Sequence, residues 1–188
     1  MNANQISGYV ISLTRNNIEE NLTNLKLQKI LYYLQGYYLA LYKKELFENE
    51  IEPWKYGPVV CEVYHTYKSY GDNSIVLPDV EMNFDYISDE QKKFINKVYN
   101  YFRQFSGIKL MEMTHGEHPW KDSYGKKDII SKKILLDFFQ QSELRNLFVP
   151  LDKEKERKTA AQFLLANYVY DSNLVELTNS DTEDIYEY

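Results

Sequence analysis

A single cysteine, Cys61, leaves this chain without the option of an internal disulfide, so a reducing compartment is expected. No apolar run approaches the roughly 20 residues needed to span a bilayer. Residues 1–8, M-N-A-N-Q-I-S-G, lack a basic stretch leading into an apolar one, so no secretory leader is expected. Together these absences predict a cytoplasmic protein with no membrane partner. Glycine is scarce, seven in 188 residues, and no glycine-rich phosphate loop is present. G-x-S-x-G and paired-carboxylate patterns are missing too, which removes the common hydrolase signatures. Basic residues are absent from positions 171–188, which hold Asp171, Glu176, Asp181, Glu183, Asp184 and Glu187. Removing those six from the 28 acidic residues leaves 22, equal to the 22 basic residues of positions 1–170. The body is therefore neutral and the tail carries the whole net charge of −6. Nucleic-acid binders present a basic patch or stripe that displaces counterions from phosphate, and none stands out, so no nucleic-acid partner is expected.

What the chain does have is aromatic and apolar material. Hydrophobic residues make up 44% and aromatics 15%, with 18 tyrosines, enough burial to offset chain entropy and exclude a disordered protein. Helical spacing dominates. Residues 4–13 predict a first helix on Ile6, Val10 and Ile11. From Thr23 to about Lys43, Leu27, Ile30, Leu31, Leu34, Tyr38 and Leu41 recur as one amphipathic stripe, with Thr23 as cap and Leu22 placed to staple onto Leu27. Residues 45–47 and 51–54 suggest a small hairpin across 48–50, and Gly57-Pro58 suggests a third helix with proline in its first turn, ending near Gly71. Ser88–Gln91 is a capping-box pattern before a helix bearing Phe94, Ile95, Val98, Tyr99, Phe102 and Phe105, which Gly107 is expected to stop. A short helix over 108–114 and another capped by Ser131 follow. The fold class expected is mainly α, a compact multi-helix domain with at most a small β hairpin. Residues 1–150 form the domain in this reading, and 151–188 add a helix and the acidic tail.

Within that frame, two lysines sit oddly. Lys26 and Lys29 occupy the first turns of a helix, where the dipole favours carboxylates. They are expected to serve either a partner or a buried network. Tyr32, Tyr33, Tyr37 and Tyr38 cannot all face one core at 100° per residue, so some are expected at the surface. Trp54, Tyr56 and Pro58 form an aromatic corner; Trp54 is expected to close the core, and Lys55 to point outward.

Enzymatic readings find less support. His115-Gly116-Glu117-His118 places two histidines three apart, but the zincin pattern sets glutamate beside the first histidine and the second four residues on. The structural reading is that His115 and Trp120 anchor a helix end. Cys61 and His65, four apart, share a helix face, yet a nucleophilic pair also needs access, a lowered thiol pKa and an orienting group. No catalytic residue, metal or cofactor is expected.

The blocks T-N-L-K-L-Q-K-I-L-Y-Y at Thr23–Tyr33, Gln35-Gly36, I-E-P-W-K-Y-G-P-V-V at Ile51–Val60 and T-H-G-E-H-P-W at Thr114–Trp120 carry a resemblance. They resemble, in order, the Panacea antitoxin domain, the SocA-like or GepA-like domain of bacterial toxin–antitoxin systems. The resemblance spans about residues 5–140. It implies a non-enzymatic antitoxin that binds a cognate toxin, on a domain type that travels with mobile DNA. By extension from the blocks, the contact residues would be Lys26, Lys29, Tyr33, Tyr37, Lys55, Tyr56, His115 and Glu117. The SocA-like branch also implies an alternative, an adaptor that delivers the toxin to a Clp-type protease. A hydrolase built on His115, Glu117 and His118, or on Cys61 and His65, is the alternative from another class. The acidic tail would speed association with a basic toxin, and deleting 171–188 would then lower the rate and its salt dependence.

Overall fold

The computed structural model describes residues 1–15, 21–76 and 82–149. Helix α1 spans Ala3–Ser12 and α2 spans Asn24–Tyr42. A two-stranded antiparallel hairpin follows, β1 Glu52–Trp54 and β2 Gly57–Val59. Then come α3 Cys61–Tyr67 with a short 3-10 turn at Lys68–Tyr70, α4 Asp89–Phe102, α5 Gly107–Gly116, α6 His118–Lys121, α7 Lys132–Gln141 and a closing 3-10 segment Glu143–Phe148. The fold is mainly α with one small hairpin, as expected. The expected helix and acidic tail of 151–188 lie outside the described residues.

Capping chemistry sets most of the helix starts. The Thr23 hydroxyl accepts the Lys26 amide, and Ser106 and Ser131 do the same for α5 and α7. Ser88 and Gln91 close a reciprocal capping box on α4, and Asn2 with Gln5 closes another on α1. Helix α4 ends at Phe102, with Arg103 as its cap, before Gly107 is reached. Gly107 instead opens α5, because the Ser106 hydroxyl supplies a helix start immediately before it.

The largest departure from expectation is α2. Sixteen of its 19 residues are buried, so it is a central rod and not an amphipathic surface helix. It packs against α7, α5, α4, the hairpin, α1 and α3 around its circumference. For that reason Tyr32, Tyr33, Tyr37 and Tyr38 are all buried, although they point in different directions. Their rings build the aromatic core. Tyr33 stacks on Phe102 of α4 at 3.9 Å between centroids, while Tyr32 and Tyr37 meet Phe139 of α7 edge-on at 5.3 and 4.7 Å. Gly36 admits α7: a Cβ there would lie 2.1 Å from the Phe139 ring.

The hairpin also sits later than expected. Residues 45–47 do not pair with 51–54, because Gln35 takes their backbone. Its Oε1 accepts the Leu46 and Phe47 amides at 3.0 and 3.2 Å, and its Nε2 donates to the Phe47 carbonyl at 2.8 Å. The strands form instead across Lys55-Tyr56, with Glu52 opposite Val59 and Pro53 opposite Pro58. Pro58 is therefore a strand residue, and α3 starts only at Cys61.

Candidate functional site

The polar residues of α2 explain why the hairpin is so firmly placed. Gln28 accepts the Val60 amide at 2.8 Å and donates to Asn24 at 3.0 Å, and Asn24 donates to the Tyr64 carbonyl at 3.1 Å. Lys29 donates from Nζ to the Pro58 carbonyl at 2.8 Å. Gly57 makes room for that ammonium. It holds φ +95°, and a Cβ would come within 2.7 Å of Lys29 Cε and 2.8 Å of Thr114 Oγ1. From the other side, Trp120 donates from Nε1 to the Trp54 carbonyl at 2.9 Å, and its ring stacks on His115 at 4.0 Å. His115 bonds the Lys55 backbone, while its Nε2 is buried without a partner among the described residues. The turn Lys55-Tyr56 is thus held from α2 below and from α5 and α6 beside it. Its own side chains stay outside: Tyr56 is 58% exposed, and Lys55 lies over the Tyr56 ring at 5.3 Å.

Between this turn, α2, α3 and α5 opens a cleft of about 760 Å³. Leu25, Trp54, Tyr56, Val59, Tyr64, Ile108 and Met111 give it apolar walls. Lys29, Lys55 and Lys68 line it along with one acid, Asp72. Trp54 does not close the core as expected. It is half-buried on the cleft wall, with its Nε1 turned onto Glu52 Oε2 at 2.6 Å and its ring edge-on to Tyr64. As the last strand residue before the turn, it has the cleft and not the interior beneath it.

A second cluster lies inside. Glu117, at the α5–α6 junction, accepts hydrogen bonds from Tyr32 at 2.7 Å and Tyr33 at 2.9 Å. Burial pushes its carboxyl up to about 7, against the pull of those two hydroxyls. The same surroundings hold both tyrosine hydroxyls well above their usual range. Burial raises Tyr37 to about 12, opposed by its bond with Ser142. Burial lowers the Lys29 ammonium to about 7. His115 is also lowered, by burial first and then by the Lys29 charge, although its bond to the Lys55 backbone opposes this.

The eight expected contact residues therefore separate. Lys26, Lys29, Tyr33 and Tyr37 are interior; Lys26 donates from Nζ to the Arg103 carbonyl at 2.6 Å, capping α4. Of the two roles open to the lysines, the buried network is the one seen. Glu117 and His115 are half-buried supports of the same network. Lys55 and Tyr56 alone of the eight are surface side chains. The histidine cluster does not converge: His115 faces Trp120, Glu117 faces Tyr32 and Tyr33, and exposed His118 pairs with Asp122 at 3.6 Å. Among the described residues no three His, Cys, Asp or Glu side chains gather as metal ligands would. Burial, then Glu52 and Glu62, raise the Cys61 thiol, the reverse of nucleophile activation. Ile108 and Met111, which the sequence reading passed over, were legible in principle. They sit three apart on α5, out of phase with its buried Leu110 and Thr114.

Residues 27–121, which contain both the Lys29 network and the hairpin, match the family model for the antitoxin SocA-like, Panacea domain. The chain belongs to this family. No curated protein and no solved structure gave a match. The matched span runs from the interior of α2 through the end of α6, so most of the elements that bound the cleft lie within the family domain. None of the helices among the described residues is long and apolar enough to cross a membrane.

Proposed function

We propose that this protein is an antitoxin that neutralises a cognate bacterial toxin by binding it directly, without catalysis. Membership of the SocA-like Panacea family is the observation that carries this reading. The geometry is consistent with it. Polar side chains that would be candidates for chemistry are engaged in holding backbone and ring partners, and an exposed aromatic and a lysine stand on a rigid turn beside an open cleft. Tyrosine on a pre-ordered turn is a favourable anchor, since it brings contact area at little cost in side-chain entropy. In this reading Lys55 and Tyr56 meet the toxin, while Lys26, Lys29, Tyr33, Tyr37, His115 and Glu117 position the surface that presents them.

Co-expression with the product of the adjacent gene tests the proposal. Rescue of growth together with co-purification supports it; a toxic neighbour that is neither bound nor relieved refutes it. Toxin abundance during rescue separates sequestration from delivery to a Clp-type protease: constant levels indicate the first, falling levels the second.

A further inference from the structure

The cleft beside the turn is walled by side chains and offers little free backbone. Ile108 and Met111, three apart on α5, form one apolar wall. Trp54 and Tyr64, edge-on at 4.9 Å between ring centroids, form another. Ile108 is 63% exposed, and the other three are half-buried. The exposed charges are Lys55 on the turn, Lys68 after α3 and one acid, Asp72. Lys29 adds no contact surface, since it is fully buried with its ammonium on the Pro58 carbonyl. Asn24 and Gln28 are occupied in the same way, by the Tyr64 carbonyl and the Val60 amide.

The hairpin presents no edge to an added strand. Pro53 and Pro58, opposite one another, have no amide hydrogen to donate. The Ile51 and Trp54 carbonyls accept from the Ile130 amide and Trp120 Nε1, at 2.7 and 2.9 Å. The other walls are helices, whose interior backbone is bonded within itself. An extended segment lying here would bury its own backbone groups without partners, at a cost. A helix satisfies its backbone internally and brings only side chains to the cleft.

We propose that this cleft receives an amphipathic helix of the partner. The apolar stripe of that helix lodges against Ile108 and Met111 on one side and Trp54 and Tyr64 on the other, and its acidic flank faces Lys55 and Lys68. The proposal rests on the reading above, that the domain acts by binding a protein, and it names the form of the segment bound. Two exposed lysines outnumber Asp72 at the rim, in a chain body whose overall charge is balanced, so carboxylates make the complementary flank. The turn is already fixed by Lys29 and Trp120, so docking orders little of this protein. Met111, an adaptable side chain, fits the wall to the residues that enter.

Random linear peptides displayed on phage and enriched on the full-length protein are the probe. Enriched sequences should repeat apolar residues at helical spacing, i, i+3 or i+4 and i+7, with Asp or Glu on the flanking positions. Strictly alternating apolar residues, or an enriched set without acids, overturns the proposal. A selected peptide should gain helical circular dichroism on binding, and binding that leaves it non-helical overturns it. Ile108→Glu, at an exposed site, should weaken that peptide about tenfold or more, as for an interface anchor. Equal binding by Ile108→Glu and wild type overturns the cleft as the site. Lys68→Glu, also exposed, should weaken the peptide about threefold and reduce the salt dependence of binding. Unchanged affinity and salt dependence in that variant overturn the acidic flank. In co-expression, equal rescue by wild type and Ile108→Glu sinks the cleft while sparing the antitoxin reading. Peptide binding that Ile108→Glu weakens, without rescue by the wild type, does the reverse.

Discussion

Helix α2 and the Lys55-Tyr56 turn are both rich in polar and aromatic residues, yet they use them in opposite ways. On α2 the polar side chains reach out to the peripheral elements: Asn24 holds α3, Lys26 the end of α4, Lys29 the hairpin, Gln28 the Val60 amide just after it, and Gln35 the 46–47 backbone. Tyr32 and Tyr33 hold the α5–α6 junction through Glu117. At the turn, the backbone is held and the side chains are released. A buried polar group must be satisfied within the fold, so it specifies structure, whereas an exposed one on a fixed backbone is available for recognition. Sequence motifs of equal prominence can therefore mark opposite roles.

The strongest way to break that contrast is on the α2 side. Gly36→Ala forces Phe139 out of a tightly packed aromatic cluster. It should cost about 3 kcal/mol in denaturant unfolding, the upper range for overpacking. Gln35→Ala strips the Leu46 and Phe47 amides and the Phe47 carbonyl of their partner. A loss of about 2 kcal/mol is expected by the same measurement, since buried backbone groups are left unsatisfied.

Two buried ionisable groups sharpen the comparison through pH. Glu117 is raised in the folded state, so its contribution is complete at low pH and is lost as pH rises through about 7. Lys29 is depressed, so its contribution is complete at high pH and is lost as pH falls through about 7. Their effects oppose, giving a stability minimum near neutrality, with each limb sloping by at most about 1.4 kcal/mol per pH unit. Glu117→Gln should flatten the acid limb and Lys29→Met the alkaline limb in unfolding curves taken across that range. Tyr56→Ala, at the turn, should alter stability by less than about 0.5 kcal/mol, as for a surface site. In the proposed function it nonetheless weakens toxin binding about tenfold or more, readable by titration calorimetry.

Much of this architecture was legible along the chain. Caps at Thr23, Ser88 and Ser131 act locally, within a single helical turn, so residue type and spacing suffice to place them. The repeated apolar residues of α4 likewise mark its buried face. The hairpin was misplaced because Gln35, more than ten residues away, claims the backbone of 46–47, and no local signal reports that. The α2 stripe is buried as its spacing implies, but the opposite face is buried too, for a related reason. Periodicity shows which face is most apolar, but not whether polar residues on the other face will find partners inside.

Taken alone, the sequence determined the helical class, the helix starts, the charge separation between body and tail, and the family, because these rest on residue type and short-range spacing. The tertiary structure decided that Lys26, Lys29, Tyr33 and Tyr37 are interior, that Trp54 lines a cleft, and that Lys55 and Tyr56 stand out. Burial and hydrogen-bond partners depend on residues distant in the chain, and only the packed fold brings Pro58, Thr114 and Lys29 to one point.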